Sequence, residues 1–262
     1  MKGGPAAKGE RLNCRSTGKL ARVRISRTGP ARPVSGRRQW PVLCAVVLTL
    51  VLASACSESE FRYVSNKSID TYLKVPADWK EFKHDDLLGA EISAAEGAGQ
   101  SPSIVDVMLS KQSQWRVAFD SDPRPSVEHT LGFPKEPTVE VNVQALNPQQ
   151  RENVSLAALR NVGAPYDELK DQAEADMNGG TGFRPLLEEE LNYDSGVHGI
   201  RLQYLVRPEA SSPYYAVDQT TLVDSKTQRL YVLRIRAGEE QFLRNLDLIT
   251  EIAKSFTVKP KG

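Results

Sequence analysis

The sequence predicts an α+β fold, a layered α/β/α sandwich with a mainly antiparallel sheet, and three patterns carry that prediction. Val139, Val141, Val143 and Ala145 alternate with Glu140, Asn142 and Gln144, the two-residue period of a strand with one face in a core. Tyr214 to Val223 and Leu230 to Ala237 flank the turn-forming stretch Asp224 to Gln228, which reads as a hairpin. From Glu239 onward, Phe242, Leu246, Ile249 and Ala253 recur at helical spacing, with Arg244, Asp247, Glu251 and Lys254 outward. Strands joined this closely pair antiparallel, and a helix with one apolar stripe packs it on a sheet.

The remaining elements follow in chain order. Phe61 to Asn66 and Thr71 to Val75 are strand-like pieces around a polar turn; Pro76, which cannot donate to a ladder, ends the second, and Trp79 follows at the strand exit. Ala90 to Ser103 is small and Gly-rich and reads as a loop. Ile104 to Leu109 and Trp115 to Phe119 read as strands before the Pro-rich turn at Asp120 to Pro125. Asn147 with Pro148 starts a helical segment that Gly163 to Pro165 interrupts; a second runs from Tyr166 and stops at Gly179 and Gly180. His198, Ile200, Leu202, Tyr204 and Val206 share one face of a strand, with Arg201, Gln203 and Arg207 on the other. Ser255 to Val258 exits as a short strand. The sum is roughly seven or eight strands and two to four helices, without an internal repeat.

Charge divides the chain. Residues 1–40 hold eleven basic side chains against Glu10 alone, so the overall charge of +1 leaves −9 from Cys56 onward. A basic arm can bind nucleic acid through phosphate contacts. Here it leads into the uncharged run Val42 to Leu52, followed by Ala53, Ser54 and Ala55. Basic region, apolar core and small residues, in that order, make an export signal, and nucleic acid is not expected as a partner. A helix of eleven residues reaches about 17 Å against roughly 30 Å of hydrocarbon, too short to span. Residues 1–55 are therefore expected to be a signal peptide with a long basic leader. That exceeds the usual length of about 15 to 30 residues and leaves open a start downstream of Met1. Arg37 and Arg38 resemble a twin-arginine signal, but Gly36, Trp40 and Pro41 fit it poorly, so the general secretory route is preferred.

Of the three cysteines, Cys14 and Cys44 precede the cut and only Cys56 follows it, so the exported chain cannot form an intramolecular disulfide. The stretch Leu52 to Cys56 resembles the lipobox of bacterial lipoproteins, in which the cysteine is acylated and becomes the amino terminus. Ala53 stands where leucine is commonest. Ordinary signal peptidase would cut the same bond, so acylation of Cys56 and a bare new terminus are the two outcomes. Two acyl chains give stable anchoring where one does not. Acylation is the preferred expectation: Cys56 bound to membrane lipid, residues 56–60 a short polar tether, and the product extracytoplasmic and lipid-anchored to the bacterial cell membrane.

Residues 61–258 are expected to form a single α+β domain. Its two ends, Tyr72 to Phe82 and Leu230 to Val258, resemble the PsbP-like family, which includes extrinsic proteins of photosystem II, Ran-binding Mog proteins and bacterial lipoproteins. The resemblance implies an antiparallel sheet between helical layers and a non-enzymatic binding or scaffolding role for an unknown protein or small-molecule partner. It carries over no site residue and implies no cofactor.

The common catalytic strings are absent from the sequence. His84 with Asp85 and Asp86 could begin a metal site, but a solvated loop is preferred because one local cluster completes no coordination shell; no metal site is expected. His129 has no sequence partner, and His198 on an apolar face reads as a core or edge histidine. Glu188 and Glu190 on a strand would lie about 7 Å apart, within reach of paired-carboxylate chemistry, although alternating acids on any strand do the same. An alternative function follows from these residues, a tethered hydrolase or metal-dependent enzyme using Glu188 and Glu190 or His198. Tyr214 and Tyr215, after a Pro turn, are weak ligand-contact candidates, since one ring could face the core and the other solvent, with core or rim packing as the default.

Overall fold

Ten strands and six α-helices stand among the residues described by the computed structural model, 60–97, 113–175 and 182–259. In chain order they are β1 (Phe61–Asn66), β2 (Thr71–Pro76), β3 (Lys80–Lys83), α1 (His84–Gly97), β4 (Ser113–Asp120) and β5 (Thr138–Ala145). The helices α2 (Pro148–Glu152), α3 (Leu156–Arg160) and α4 (Tyr166–Ala175) follow, then β6 (Phe183–Asn192), β7 (His198–Val206), β8 (Tyr215–Val223) and β9 (Arg229–Gly238). Helices α5 (Glu239–Arg244) and α6 (Leu246–Ser255) lead to β10 (Thr257–Val258). One sheet has the order β3-β4-β5-β9-β8-β7-β6 and a smaller one β1-β2-β10, every pair antiparallel.

Strand alternation sends side chains to two covered faces. On one, Phe119, Val139, Val141, Val143, Leu233 and Ile235 pack with Leu73 and Val75 of β2 and with Phe242, Ile249 and Ile252 of α5 and α6. On the other, Ile200, Leu202, Tyr204, Val217 and Val232 pack with Leu159 of α3, Tyr166 of α4 and Phe183. Fully burying such a side chain contributes roughly 1.5–3 kcal/mol, so both layers hold the sheet. The fold is α+β, with helices on both faces of a mainly antiparallel sheet, as the sequence predicts, and with a second small sheet added.

Three local expectations change. Ala90 to Gly97, expected as loop, belongs to α1; Leu, Ala and Glu favour helix, and Asp86 accepts from the Lys83 N–H at 2.9 Å to cap it. The segment after Asn147 is two helices, because Ser155 caps a second one by accepting from the Ala158 N–H at 3.1 Å. Asn147 does begin the first, with a capping box to Gln150. The last helix breaks at Asn245, whose φ of −105° and ψ of 18° lie outside the helical well and whose Nδ2 donates to Gln241 O at 2.8 Å. The break turns Leu246 out to 40% exposure and leaves Ile252 buried in the stripe. The expected strand Ile104 to Leu109 lies outside the described residues, as do the leader, Cys56 and Ser57 to Ser59.

The run Glu188 to Glu190 falls on β6, the outer strand of the large sheet. Its exposed carboxylates, Pro185 and an irregularity between Pro185 and Leu187 are devices that keep an open sheet edge from pairing with another chain.

Candidate functional site: the clefts at Trp79

Where β2 leaves the small sheet, Pro76 ends the strand and the chain turns through Ala77 and Asp78 to Trp79. The turn is held by the Ala77 N–H donating to Glu60 O at 3.1 Å and the Trp79 N–H to Pro76 O at 3.4 Å. The Trp79 ring is seated in the core. Arg62 locks this corner: Nη2 donates to Trp79 O at 2.9 Å, Nη1 lies 3.5 Å from Glu81 Oε2, and the guanidinium stands 5.0 Å from the Phe119 ring centroid.

Two open clefts flank this corner. One, of about 680 Å³, is lined by Glu60, Phe61, Pro76, Ala77, Asp78, Trp79 and Leu248. The other, of about 630 Å³, has Asp78, Trp79, Glu81, Asp122, Pro123 and Pro125 in its walls, with Asp120 buried among them; Lys80 and the Glu81-paired Arg62 also line it, so carboxylates outnumber cations four to two. Apolar surface beside fixed carboxylates suits a partner that brings an apolar group next to a cation.

Asp120 organises the second cleft. Its buried carboxylate accepts from the Asp122 and Ser126 N–H groups, each at 2.9 Å, and lies 2.8 Å from His129 Nδ1. Ser126 caps the single 3-10 turn Val127–Thr130 that carries the histidine. A carboxylate on Nδ1 fixes the ring and leaves Nε2 for any other contact. Sequence reasoning gave His129 no partner; nothing in a gap of nine residues across a proline turn announces the pair.

A second polar cluster lies on the large sheet beneath α1. Glu140 is 8% exposed and takes Arg116 Nε at 2.9 Å and Arg236 Nη2 at 3.3 Å, with Arg234 Nη1 at 3.9 Å. Arg116 also donates to Glu91 of α1 at 2.6 Å, pinning the helix to the sheet. Burial works against the Arg116 charge, but the two glutamates outweigh it and raise its pKa. For Arg236, burial prevails over Glu140 and the pKa falls below the ordinary guanidinium value. Its donors reach the Thr130 and Gly132 carbonyls, so the cluster is internal framework that also fixes the His129 turn.

The residues singled out in the sequence are dispersed. Glu188 is held by Arg160 at 3.4 Å and Lys170 at 3.2 Å, a clasp between β6 and the helices α3 and α4, and it raises the Lys170 pKa. Glu190 accepts from Asn192 Nδ2 at 3.2 Å, and His198, paired in register with Asn192, has Nδ1 3.2 Å from Gly196 O. His84 opens α1 and Asp86 caps it, so the expected solvated loop is a helix start. Among the described residues no three His, Cys, Asp or Glu side chains gather as a metal site. Tyr214 lies beneath Arg184 and Arg207, at 4.3 and 5.0 Å from ring centroid to guanidinium, and Tyr215 meets the Phe133 ring at 5.0 Å. Both tyrosines are half-buried; Tyr214 packs against the core, and Tyr215 lies against the exposed Phe133.

No family model matches the chain, and no curated protein matches it. The structure is similar to solved structures of PsbP and Mog type. Cyanobacterial PsbP (CyanoP) from Synechocystis sp. aligns at 15% identity and TM-score 0.43, covering 79% of this chain and 96% of its own. LpqN, involved in cell envelope biogenesis of Mycobacterium tuberculosis, aligns at 16% identity and TM-score 0.40, covering 76% and 91%. The Ran-binding protein Mog1p of Saccharomyces cerevisiae aligns at 12% identity and TM-score 0.39, covering 76% and 95%. Among the described residues no helix is long and apolar enough to cross a membrane.

Proposed function

We propose that this protein is an exported lipoprotein, anchored through Cys56, whose body is a non-enzymatic module holding a partner at the outer face of a bacterial membrane. The observation that carries the binding role is the second cleft, where the carboxylates of Asp78, Glu81 and Asp122 stand beside Trp79 and two prolines and outnumber the cations Lys80 and Arg62, the latter already paired with Glu81. Its complement is a protein segment with Lys or Arg next to an apolar side chain. The basic leader, the apolar run and the solitary Cys56 support export and anchoring.

The test is affinity capture from native membranes with the full-length protein, run beside Asp78→Arg and, as a control on the exposed β6–β7 turn, Asp194→Arg. A partner retained by the wild type and the control but lost from Asp78→Arg supports the cleft. Equal capture by all three removes it. Anchoring is read separately: Cys56→Ser is expected to leave the membrane fraction and change mobility. A hydrolytic turnover lost on changing Glu188, Glu190 or His198 overturns the non-enzymatic reading.

A further inference from the structure

The outer face of the small sheet has a composition unlike the rest of this acidic body. The cross-strand pairs Phe61↔Pro76, Tyr63↔Lys74 and Ser65↔Tyr72 put three aromatic rings on one face, away from Val64, Leu73 and Val75, which pack into the core. Tyr63 is 81% exposed, the most exposed large apolar side chain among the described residues. Lys74 Nζ stands 3.9 Å from the Phe61 ring centroid and Lys259 Nζ 5.2 Å from that of Tyr72. Lys67, in the turn between β1 and β2, and Lys259 are exposed cations, while Lys74 is half-buried and ion-paired with Glu251; Asp70 and Glu60 are the other acids beside them.

We infer that this face rests on a phospholipid surface, and the inference depends on the reading that Cys56 carries the anchor. From Cys56 to Phe61 is five residue steps, at most about 18 Å even when fully extended. Acyl chains at Cys56 therefore bring β1, where the tether enters the fold, to the lipid headgroups ahead of the rest of the domain. Tyrosine suits that layer because its ring is apolar and its hydroxyl polar. Lys259 keeps its stem on the Tyr72 ring and reaches phosphate with its ammonium group, as Lys67 does from the turn, while Lys74 is held by Glu251. Docking there leaves the carboxylate-lined cleft on the far side of Trp79 for the partner.

The experiment places Tyr63→Trp in the mature acylated protein beginning at Cys56, reconstituted into phosphatidylcholine and phosphatidylglycerol vesicles with brominated acyl chains. Wild-type protein supplies the background of Trp79 and Trp115, and Tyr193→Trp, at the far edge of the large sheet, is the control. The expected result is an emission at position 63 shifted to the blue and quenched by bromine, with position 193 unaffected. Absence of extra quenching at position 63 overturns the inference. So does a blue shift that depends on protein concentration and ignores bromine, since that marks a contact between two copies of the chain. If mass measurement finds Cys56 unacylated, the anchor reading fails on its own. Coupling the Cys56 thiol to a maleimide phospholipid then supplies the tether, and quenching at position 63 still decides the face.

Discussion

Strands β5 and β9 offer two faces of one backbone, and the two are held by opposite means. Val139, Val141, Val143, Leu233 and Ile235 point into the layer under α5, α6 and the small sheet, all at 0% exposure. One residue away, Glu140, Arg234 and Arg236 point to the other face, where a buried ion cluster stands beside the apolar contacts of Leu230 and Val232. Apolar packing tolerates a lost methylene at a proportionate cost, whereas a buried ion cluster fails all at once when one partner goes, because the others keep their charge without water. The same pairing therefore gives a robust face and a brittle one.

The largest expected effect breaks the brittle side. Glu140→Ala leaves Arg116 and Arg236 buried with less compensation and is expected to cost about 3–5 kcal/mol in denaturant unfolding. A cost under about 1 kcal/mol would mean that the guanidiniums reach water and that the two faces do not differ in kind. Leu233→Ala, on the robust side, is expected to cost about 2–5 kcal/mol with an unchanged denaturant slope.

Smaller changes sharpen the comparison. Gly163 has a φ of 79°, and a Cβ there would collide with the Arg234 guanidinium, so Gly163→Ala is expected to cost about 1–2 kcal/mol by unfolding. Restoring the loss by adding Arg234→Ala would show that the collision is the greater part. Asn147→Ala removes the α2 capping box and is expected to cost about 1 kcal/mol. Far from both faces, Asp78→Arg is expected to leave the unfolding midpoint nearly unchanged while abolishing partner capture.

The smallest effect is acidic. Burial pushes Asp167 up, but hydrogen bonds from Arg160 and Asn161 outweigh it and hold its pKa below the ordinary carboxylate value. Such a group stabilises the fold fully above its unfolded pKa, and the stabilisation is lost as pH falls from there through the folded pKa. Asp167→Asn is therefore expected to flatten the stability profile only below about pH 4, slightly, because the carboxylate is 38% exposed and screened. A change near neutral pH would assign the linkage to another group.

Much of the fold was legible because its signals are local. The alternation at Val139 to Ala145 marks β5, the turn at Asp224 to Gln228 marks the β8–β9 hairpin, and Asn147 followed by Pro148 marks the start of α2. Helix α1 escaped because only Leu87 is buried along its length, so Gly89, Ser93 and Gly97 dominate its appearance. The break at Asn245 escaped because the apolar spacing continues across it. The candidate site was hardly legible: Trp79 was seen at a strand exit, but Asp120 with His129 and Arg62 with Glu81 are joined by folding alone.

By itself the sequence determined the class of fold and the division between a basic amino-terminal stretch and an acidic remainder. Those follow from periods, composition and order along the chain. Which charges are buried together, which turns Asp120 fixes and which sheet face stays open were decided only in three dimensions. The reason is physical: Arg116, Glu140 and Arg236 come from three separate strands, and their energies depend on mutual distance and exclusion of water, neither of which spacing along a chain encodes.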